Sequence, residues 1–363
     1  MIYKVIGLMS GSSLDGLDIV YTHLEEVRGQ WSFEIKNADC IAYDAEWLRL
    51  LKNAHELSVP DFLRLHTRYG RYLAQQVMSF IAANALEHKV DFIATHGHTV
   101  FHEPVHKTTF QLGDGSVLAA ATGLPVISDL RALDVALGGQ GAPIVPVGDR
   151  LLFHEYDYLL NLGGIANLTV KNGADIIAFD VCPANQVLNV LAQKNGMDYD
   201  ADGLLAASGN LLTDVLTDLN DQGYYKQPAP KSLSNEMALE LVFPSLTQTS
   251  LAVNDMLHTV VQHVAEQVLE AVKRYPVAGK EHPHMLVTGG GAFNRYMVSR
   301  IQELLDGMVL VTIPDAQTVM YKEAVVMALI GTLRWREETN VYSSVTGASR
   351  DSIGGALWMG HAY

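Results

Sequence analysis

The chain has 363 residues, 48% hydrophobic and 18% charged, enough apolar material for two domains or one two-lobed enzyme and too much for a disordered chain. A formal net charge of −15 argues against nucleic-acid backbones and acidic membranes as partners, while local donors inside a site still admit a nucleotide. The two cysteines, Cys40 and Cys182, are far apart and suit a reducing compartment. No basic-then-apolar leader opens the sequence and no apolar run is long enough for a bilayer, so a cytoplasmic protein is expected.

The first apolar run, Ile2 to Leu8, has the bulk of a buried strand, and Leu17 to Tyr21 resumes as a second. Between them lie Gly11, Ser12, Ser13, Leu14, Asp15 and Gly16, a turn rich in backbone and hydroxyl donors. Such a turn cradles a polyphosphate; it also makes an ordinary hairpin loop, and both readings stand at this point. A third strand is expected over 31–43. Helices follow over 45–58 and 60–87, split by Pro60. Val90 to Thr95 reads as a buried strand ending at His96-Gly97-His98-Thr99, and Leu124 to Ser128 as another, leading into Asp129, Arg131 and Asp134. The glycine-rich Leu137 to Pro143 is the candidate boundary between lobes.

The second half repeats that opening. Tyr158 to Leu162 is a strand, Gly163 to Asn167 a small-residue turn, Leu168 to Val170 the return strand, and Asp175 to Phe179 a third that delivers Asp180. A helix starts after Pro183, and a long one spans about 253–274. The strand His284 to Thr288 precedes Gly289, Gly290, Gly291 and Ala292. A helix from Arg295, a strand over 308–313 and a helix over 322–337 come next, and Val345 to Ser349 reads as a loop near the site. Residues 220–250 give no clear pattern. The shared order of elements suggests an internal duplication whose two turns face one cleft.

No G-x-x-x-x-G-K-[ST] phosphate loop occurs, since the one Gly-Lys, Gly279-Lys280, is followed by Glu281. The glycines at 138–141 also lack the context of a dinucleotide fingerprint. Asp180, at a strand end, suits a general base; the local sequence taken alone tilts towards a helix N-cap. Arg131 offers a planar fork for a carboxylate, or else closes an ion-paired turn with Asp129 and Asp134. His96, His98 and His102 match no common zinc spacing and are read as neutral imidazole donors at a strand end. Three successive glycines at 289–291 exceed the needs of a turn and favour close approach of a flat base or ribose. Glu323, expected to begin a helix, lies near a metal or nucleophile or is a solvated first-turn carboxylate.

Together these motifs closely resemble the anhydro-N-acetylmuramic acid kinases, of the superfamily that includes actin, the sugar kinases and the heat-shock ATPases. The resemblance rests on Gly7 to Asp18, Thr95 to Val100, Ser128 to Arg131 with Asp134, Gly138 to Pro143, Asn161 to Leu168, Phe179-Asp180 with Pro183 and Asn185, Pro230 to Ser232, Gly289 to Asn294 and Val345 to Ala348. They span nearly the whole chain in the family's order. The chain departs from the usual pattern at three places. Ser-His-Gly-Gln-Thr is Thr95-His96-Gly97-His98-Thr99, Asp-Thr-Gly-Pro-Gly-Asn is Asp180-Val181-Cys182-Pro183-Ala184-Asn185, and Lys-Ser-Thr-Gly-Arg-Glu is Lys231-Ser232-Leu233-Ser234-Asn235-Glu236.

The resemblance implies an α/β, two-lobed actin-like ATPase fold, each lobe a mixed sheet flanked by helices on a duplicated ribonuclease H-like core, with lobes 1–138 and 139–363. It implies an ATP-dependent kinase that opens the 1,6-anhydro ring of anhydro-N-acetylmuramic acid with water and phosphorylates O6, giving N-acetylmuramic acid 6-phosphate in cell-wall recycling. Asp180 would activate the water. Gly11, Ser12, Ser13, Leu14, Asp15, Gly16, Leu17 and Asp18 with Gly163, Gly164 and Asn167 would hold the phosphates, and Gly289, Gly290, Gly291 and Ala292 would lie against adenosine. His96, Asp129, Arg131 and Glu323 would face the sugar, with Mg²⁺ held mainly by ATP phosphates and water. A homodimer is implied as well. Two rivals are carried: a conventional kinase of this fold acting on another sugar, and a non-catalytic sugar-binding sensor.

Overall fold

The computed structural model describes residues 1–11, 14–173, 175–246 and 251–360, apart from the side chains of Asp175 and Asn235. By contacts the chain divides into two compact units: Met1–Phe153 together with the stretch from Tyr321 onward, and His154–Met320. These are unit 1 and unit 2 below.

The sheet of unit 1 begins with β1 (Ile2–Ser10), β2 (Leu17–Val27) and β3 (Gln30–Ile41), an antiparallel meander. From Val5 to Leu8 every side chain of β1 is buried, as befits a central strand covered on both faces. β4 (Phe92–Glu103) lies parallel to β1 on its other side; β5 (Thr108–Leu112) folds back on β4, and β6 (Val126–Ser128) runs parallel to it. Helix Val59–Ala83 packs Leu65, Tyr69, Leu73, Val77 and Phe80 on one stripe of this core; Ser58 caps it and Pro60 sits in its first turn. The helix expected over 45–58 stops at Lys52 and gives way to a short 3₁₀ turn.

Unit 2 repeats the plan with β7 (Tyr158–Leu162), β8 (Ile165–Asn172), β9 (Asp175–Pro183), β10 (His284–Thr288) and β11 (Leu310–Thr312), in the order β9-β8-β7-β10-β11. Helix Val253–Arg274, buried along most of its length, is central to its core. In both units the first three strands form the meander and the next crosses over to lie parallel to the first. That order, with its second strand antiparallel, is the ribonuclease H-like core. Its duplication makes this an actin-like α/β fold.

The contacts part elsewhere than at 138/139. Leu137 to Pro143 is no linker: Gly139 and Gly141 donate to Asp134, Gln140 donates to the Thr346 carbonyl, and Arg131 reaches the Gly141 carbonyl. Near the end of the chain, β12 (Ala356–Trp358) pairs antiparallel with β6 and so returns to the sheet of unit 1. Three further boundaries differ from expectation. β4 does not end at Thr95 but continues through the histidines, because β5 supplies it with a ladder partner. The last long helix spans Ala316–Trp335 and starts earlier, where Asp315 accepts the Thr318 N–H. Part of the 345–349 loop is a helical turn, Ser343–Thr346.

Candidate active site

In unit 1 the β1–β2 turn closes with the Leu14 N–H on the Gly11 carbonyl, 3.3 Å, and Leu14 is left-handed at φ 61°. An aliphatic side chain in that region is uncommon and marks a constrained turn. Ser12 and Ser13 lie outside the described residues. Gly16 is a steric requirement, since a Cβ there would stand 2.8 Å from both Cys40 Sγ and the Ile41 carbonyl. Asp18 on β2 takes a hydrogen bond from the Cys40 thiol; burial foremost raises its pKa, and Asp18 in turn helps push the thiol up to about 12.

His96 and Arg131 form one assembly. Arg131 Nε donates to His96 Nε2 at 2.8 Å, so that nitrogen is the acceptor; Nδ1 then carries the proton and donates to the Gly97 carbonyl, 2.9 Å. Burial first and the Arg131 charge second drop His96 to about 3, which keeps the ring neutral. Against the expectation that His96 faces the sugar, one of its nitrogens is taken by Arg131 and the other by the Gly97 carbonyl.

The ion-paired turn does not form. Asp129 is exposed and left-handed, with its carboxylate bonded to the Ser128 hydroxyl at 2.6 Å. Asp134 is fully buried and accepts from the Gly141 N–H and the Thr346 hydroxyl, both at 2.7 Å. Among the described residues Arg131 has no carboxylate within ion-pair distance, so its charge is held in place without being neutralised locally. Glu323 is nonetheless close enough to favour that charge. It lies well inside helix Ala316–Trp335, half-buried, and is not the solvated first-turn carboxylate considered above. Burial, ahead of all else, raises its pKa; Lys322 and Arg131 oppose the rise, and Asp18 and Asp149 add to it.

In unit 2, Asp180 is not a helix cap. β9 continues to Pro183, and the following helix, Asn185–Gln193, has Ala184 as its N-cap residue with no side-chain bond. A bulge between β8 and β9 sets Asn167 opposite Asp180 but Ala166 opposite Cys182. Val181 is the extra residue, and such a bulge re-aims its neighbour. Segment 231–233 then fixes the aspartate: the Asp180 N–H bonds the Lys231 carbonyl, and the Leu233 N–H donates to Asp180 Oδ2 at 2.9 Å. The Tyr224 hydroxyl bonds its carbonyl at 2.7 Å. Among the described residues nothing bonds Oδ1. Burial raises the pKa of this half-buried carboxyl, and the Leu233 N–H and Lys231 charge hold the rise back. Val181, Cys182 and Ala184, where the chain departs from the family pattern, are all buried in the core.

The second turn is tied by its backbone. The Gly163 carbonyl takes the Asn185 N–H, the Gly164 carbonyl takes those of Ala184 and Gln186, and Asn185 Nδ2 reaches the Leu162 carbonyl at 2.9 Å. The 289–291 glycines pack onto it. A Cβ on Gly289 would stand 2.4 Å from Asn161 Oδ1, and one on Gly291 2.7 Å from Leu162 Cβ; only Gly290 is open. Two of the three glycines are thus explained by packing, which corrects the expectation that all three are spared for a ligand. Ala292 is buried beside them.

The family model for anhydro-N-acetylmuramic acid kinase matches residues 3–360. The chain belongs to this family. Curated anhydro-N-acetylmuramic acid kinases of Francisella tularensis subsp. novicida and Vibrio cholerae are 33% and 31% identical to it, each aligned over 97% of both sequences. A solved component A of (R)-2-hydroxyglutaryl-CoA dehydratase from Acidaminococcus fermentans superposes with a TM-score of 0.46 at 14% identity, over 90% of this chain and 96% of that one; the fold rests on the strand order, not on that likeness. As a kinase family member, the chain uses ATP. The residues that sequence reasoning missed are Tyr224, Leu233 and the pair Tyr43 and Tyr69. The first two act from the unreadable 220–250 stretch, and the tyrosines look like core aromatics until their hydroxyls are followed.

Proposed function

We propose that the chain opens the 1,6-anhydro ring of anhydro-N-acetylmuramic acid with water and phosphorylates the released O6 from ATP, giving N-acetylmuramic acid 6-phosphate and ADP. Water adds to C1 and the C1–O6 bond breaks. The water's proton passes to Asp180 Oδ1, and O6 takes the γ-phosphoryl group. The observation that carries this reading is the presentation of Asp180: bulged out of a regular ladder, held at one carboxylate oxygen, open at the other, and made more basic by burial. Phosphoryl transfer needs positioning and charge stabilisation above all. The turns at Gly11–Asp18 and Gly163–Asn167 would supply backbone donors, and Gly290 is the one open glycine beside the second turn. Arg131, oriented by His96, would pair with the lactyl carboxylate of the sugar. Asp129 is exposed at the end of β6, with Oδ2 held by the Ser128 hydroxyl and Oδ1 left to face the sugar.

Mg²⁺ would spread the phosphate charge, held mainly by the phosphates and water. The donor chemistry fits an oxygen-seeking ion, because Asp18 and Glu323 are half-buried carboxylates and Asp18 adds to the cost of ionising Glu323. Among the described residues no three potential ligands converge on one point. The family resemblance also carries a cytoplasmic homodimer, which light scattering on the purified protein tests. The decisive assay incubates the protein with ATP, Mg²⁺ and the anhydro sugar in ¹⁸O-labelled water. A product heavier by one water and one phosphoryl group, with the label at the C1 hydroxyl, is expected. Phosphorylation without added water would indicate a conventional sugar kinase, and binding with no ADP formed would indicate a sensor.

A further inference from the structure

Beneath the β1–β2 turn lies a chain of side chains that the catalytic scheme leaves unused. Tyr69 and Tyr43 share a hydrogen bond between hydroxyls at 2.6 Å, Tyr43 donates to Ser10 Oγ at 2.7 Å, and Ser10 Oγ stands 3.0 Å from His98 Nδ1. All four residues are buried. Ser10 is the last residue before the turn. His98 reaches it only because β4 carries a bulge: Leu8 faces Thr95 and Ser10 faces His98, with an extra residue on β4 between them. The bulge is built at Gly97, left-handed at φ 71°, where a Cβ would stand 2.4 Å from the Leu112 carbonyl.

Each hydroxyl has one proton, so the chain has a direction. With Tyr43 donating to Ser10, Tyr69 must donate to Tyr43; Ser10 keeps its own proton, and among the described residues His98 Nδ1 is the acceptor left for it, so we assign it there. His98 is then neutral with its proton on Nε2. Burial acts the same way, lowering His98 to about 4 and raising both tyrosines. Among the described residues Nε2 has no hydrogen-bond partner in the protein. A ring fixed as an uncharged donor matches an uncharged oxygen, and His98 sits on the same strand as His96, which holds Arg131, the group offered to the sugar's carboxylate.

We propose that His98 is a specificity-determining residue, whose Nε2–H donates to an uncharged oxygen of the sugar while the Tyr69–Tyr43–Ser10 chain fixes its tautomer. This rests on the sugar substrate named above and assigns to His98 the contact expected of His96. The test is calorimetry of the full-length protein with the anhydro sugar and, separately, with a non-hydrolysable ATP analogue. His98→Leu should weaken the sugar by about tenfold or more and leave the nucleotide unchanged, while His98→Gln should restore sugar affinity to within about threefold. An unchanged sugar affinity in His98→Leu, or a loss on the nucleotide instead, overturns the inference. If His98→Leu does not fold, ¹⁵N-histidine NMR of the unaltered protein decides. The His98 signals should show the Nε2–H tautomer and shift with sugar but not with nucleotide; the opposite tautomer or a shift with nucleotide alone overturns it. Sugar that binds without turnover removes the kinase reading and leaves this one standing, whereas a protein that binds no sugar loses both.

Discussion

In unit 1 the strand leading into the hairpin ends in Ser10, whose partner across the parallel ladder is His98. In unit 2 the corresponding strand ends at Leu162, and its parallel ladder pairs Asn161 with Thr288 just before Gly289. One turn is backed by buried side-chain hydroxyls and an imidazole, the other by backbone carbonyls and glycines packed without side chains. The same core thus supports two turns, both proposed to hold phosphate, that should fail differently. Changes around the first should alter what is bound; changes around the second should alter whether the turn can exist. Asp180, the base proposed above, belongs to the second construction.

The largest expected effect lies there. Asp180→Asn keeps the shape and removes the base, so kcat should fall by about 10²- to 10⁴-fold with nucleotide affinity little changed; retained turnover in an ADP-coupled assay would remove Asp180 from that role. Next is a contrast within one tripeptide. Gly289→Ala meets both a left-handed φ of 81° and Asn161, and should cost about 2 kcal/mol or more, read from the urea midpoint. Gly290→Ala, with open space before it, should stay within about 0.5 kcal/mol. Equal losses would mean that the second turn is not held by close packing.

In unit 1, Arg131→Lys removes the fork that joins His96 and should raise the sugar KM about tenfold while leaving the ATP KM alone. A further effect is in pH. His96 and His98 titrate at about 3 and about 4 in the folded state against 6.5 as the ordinary value. Below pH 6.5 the unfolded chain therefore binds protons that the folded one refuses, and stability falls as pH drops from 6.5 towards those values. Each ring contributes about 1.4 kcal/mol per pH unit in that window and nothing above it. His98→Gln should flatten the slope of unfolding free energy against pH by one ring's share between pH 6 and 4.5.

Most strands and long helices were legible because their apolar patterns are strong, and the order strand–turn–strand was visible in both halves. Long-range pairing was not. Nothing local in Val90 to Thr95 says that β5 will fold back and carry β4 through both histidines, or that Ala356 to Trp358 will find β6. Asp180 was legible as a residue but not as a geometry, since a bulge depends on the partner strand's register. Tyr224 and Leu233 hold it from a stretch with no periodicity. The glycines at 289–291 were over-read: steric need looks the same in sequence as room for a ligand.

The return of β12 to β6 has a consequence for synthesis. Unit 2 is one unbroken stretch, His154 to Met320, so all its strands leave the ribosome together and it can close as soon as they have emerged. Unit 1 begins first and finishes last, because its sheet lacks its final edge until residues 356–358 are made. Until then β6 carries an unpaired row of backbone groups. A released chain that stops near residue 330 should therefore hold a protease-resistant second unit and a first unit still open to cleavage.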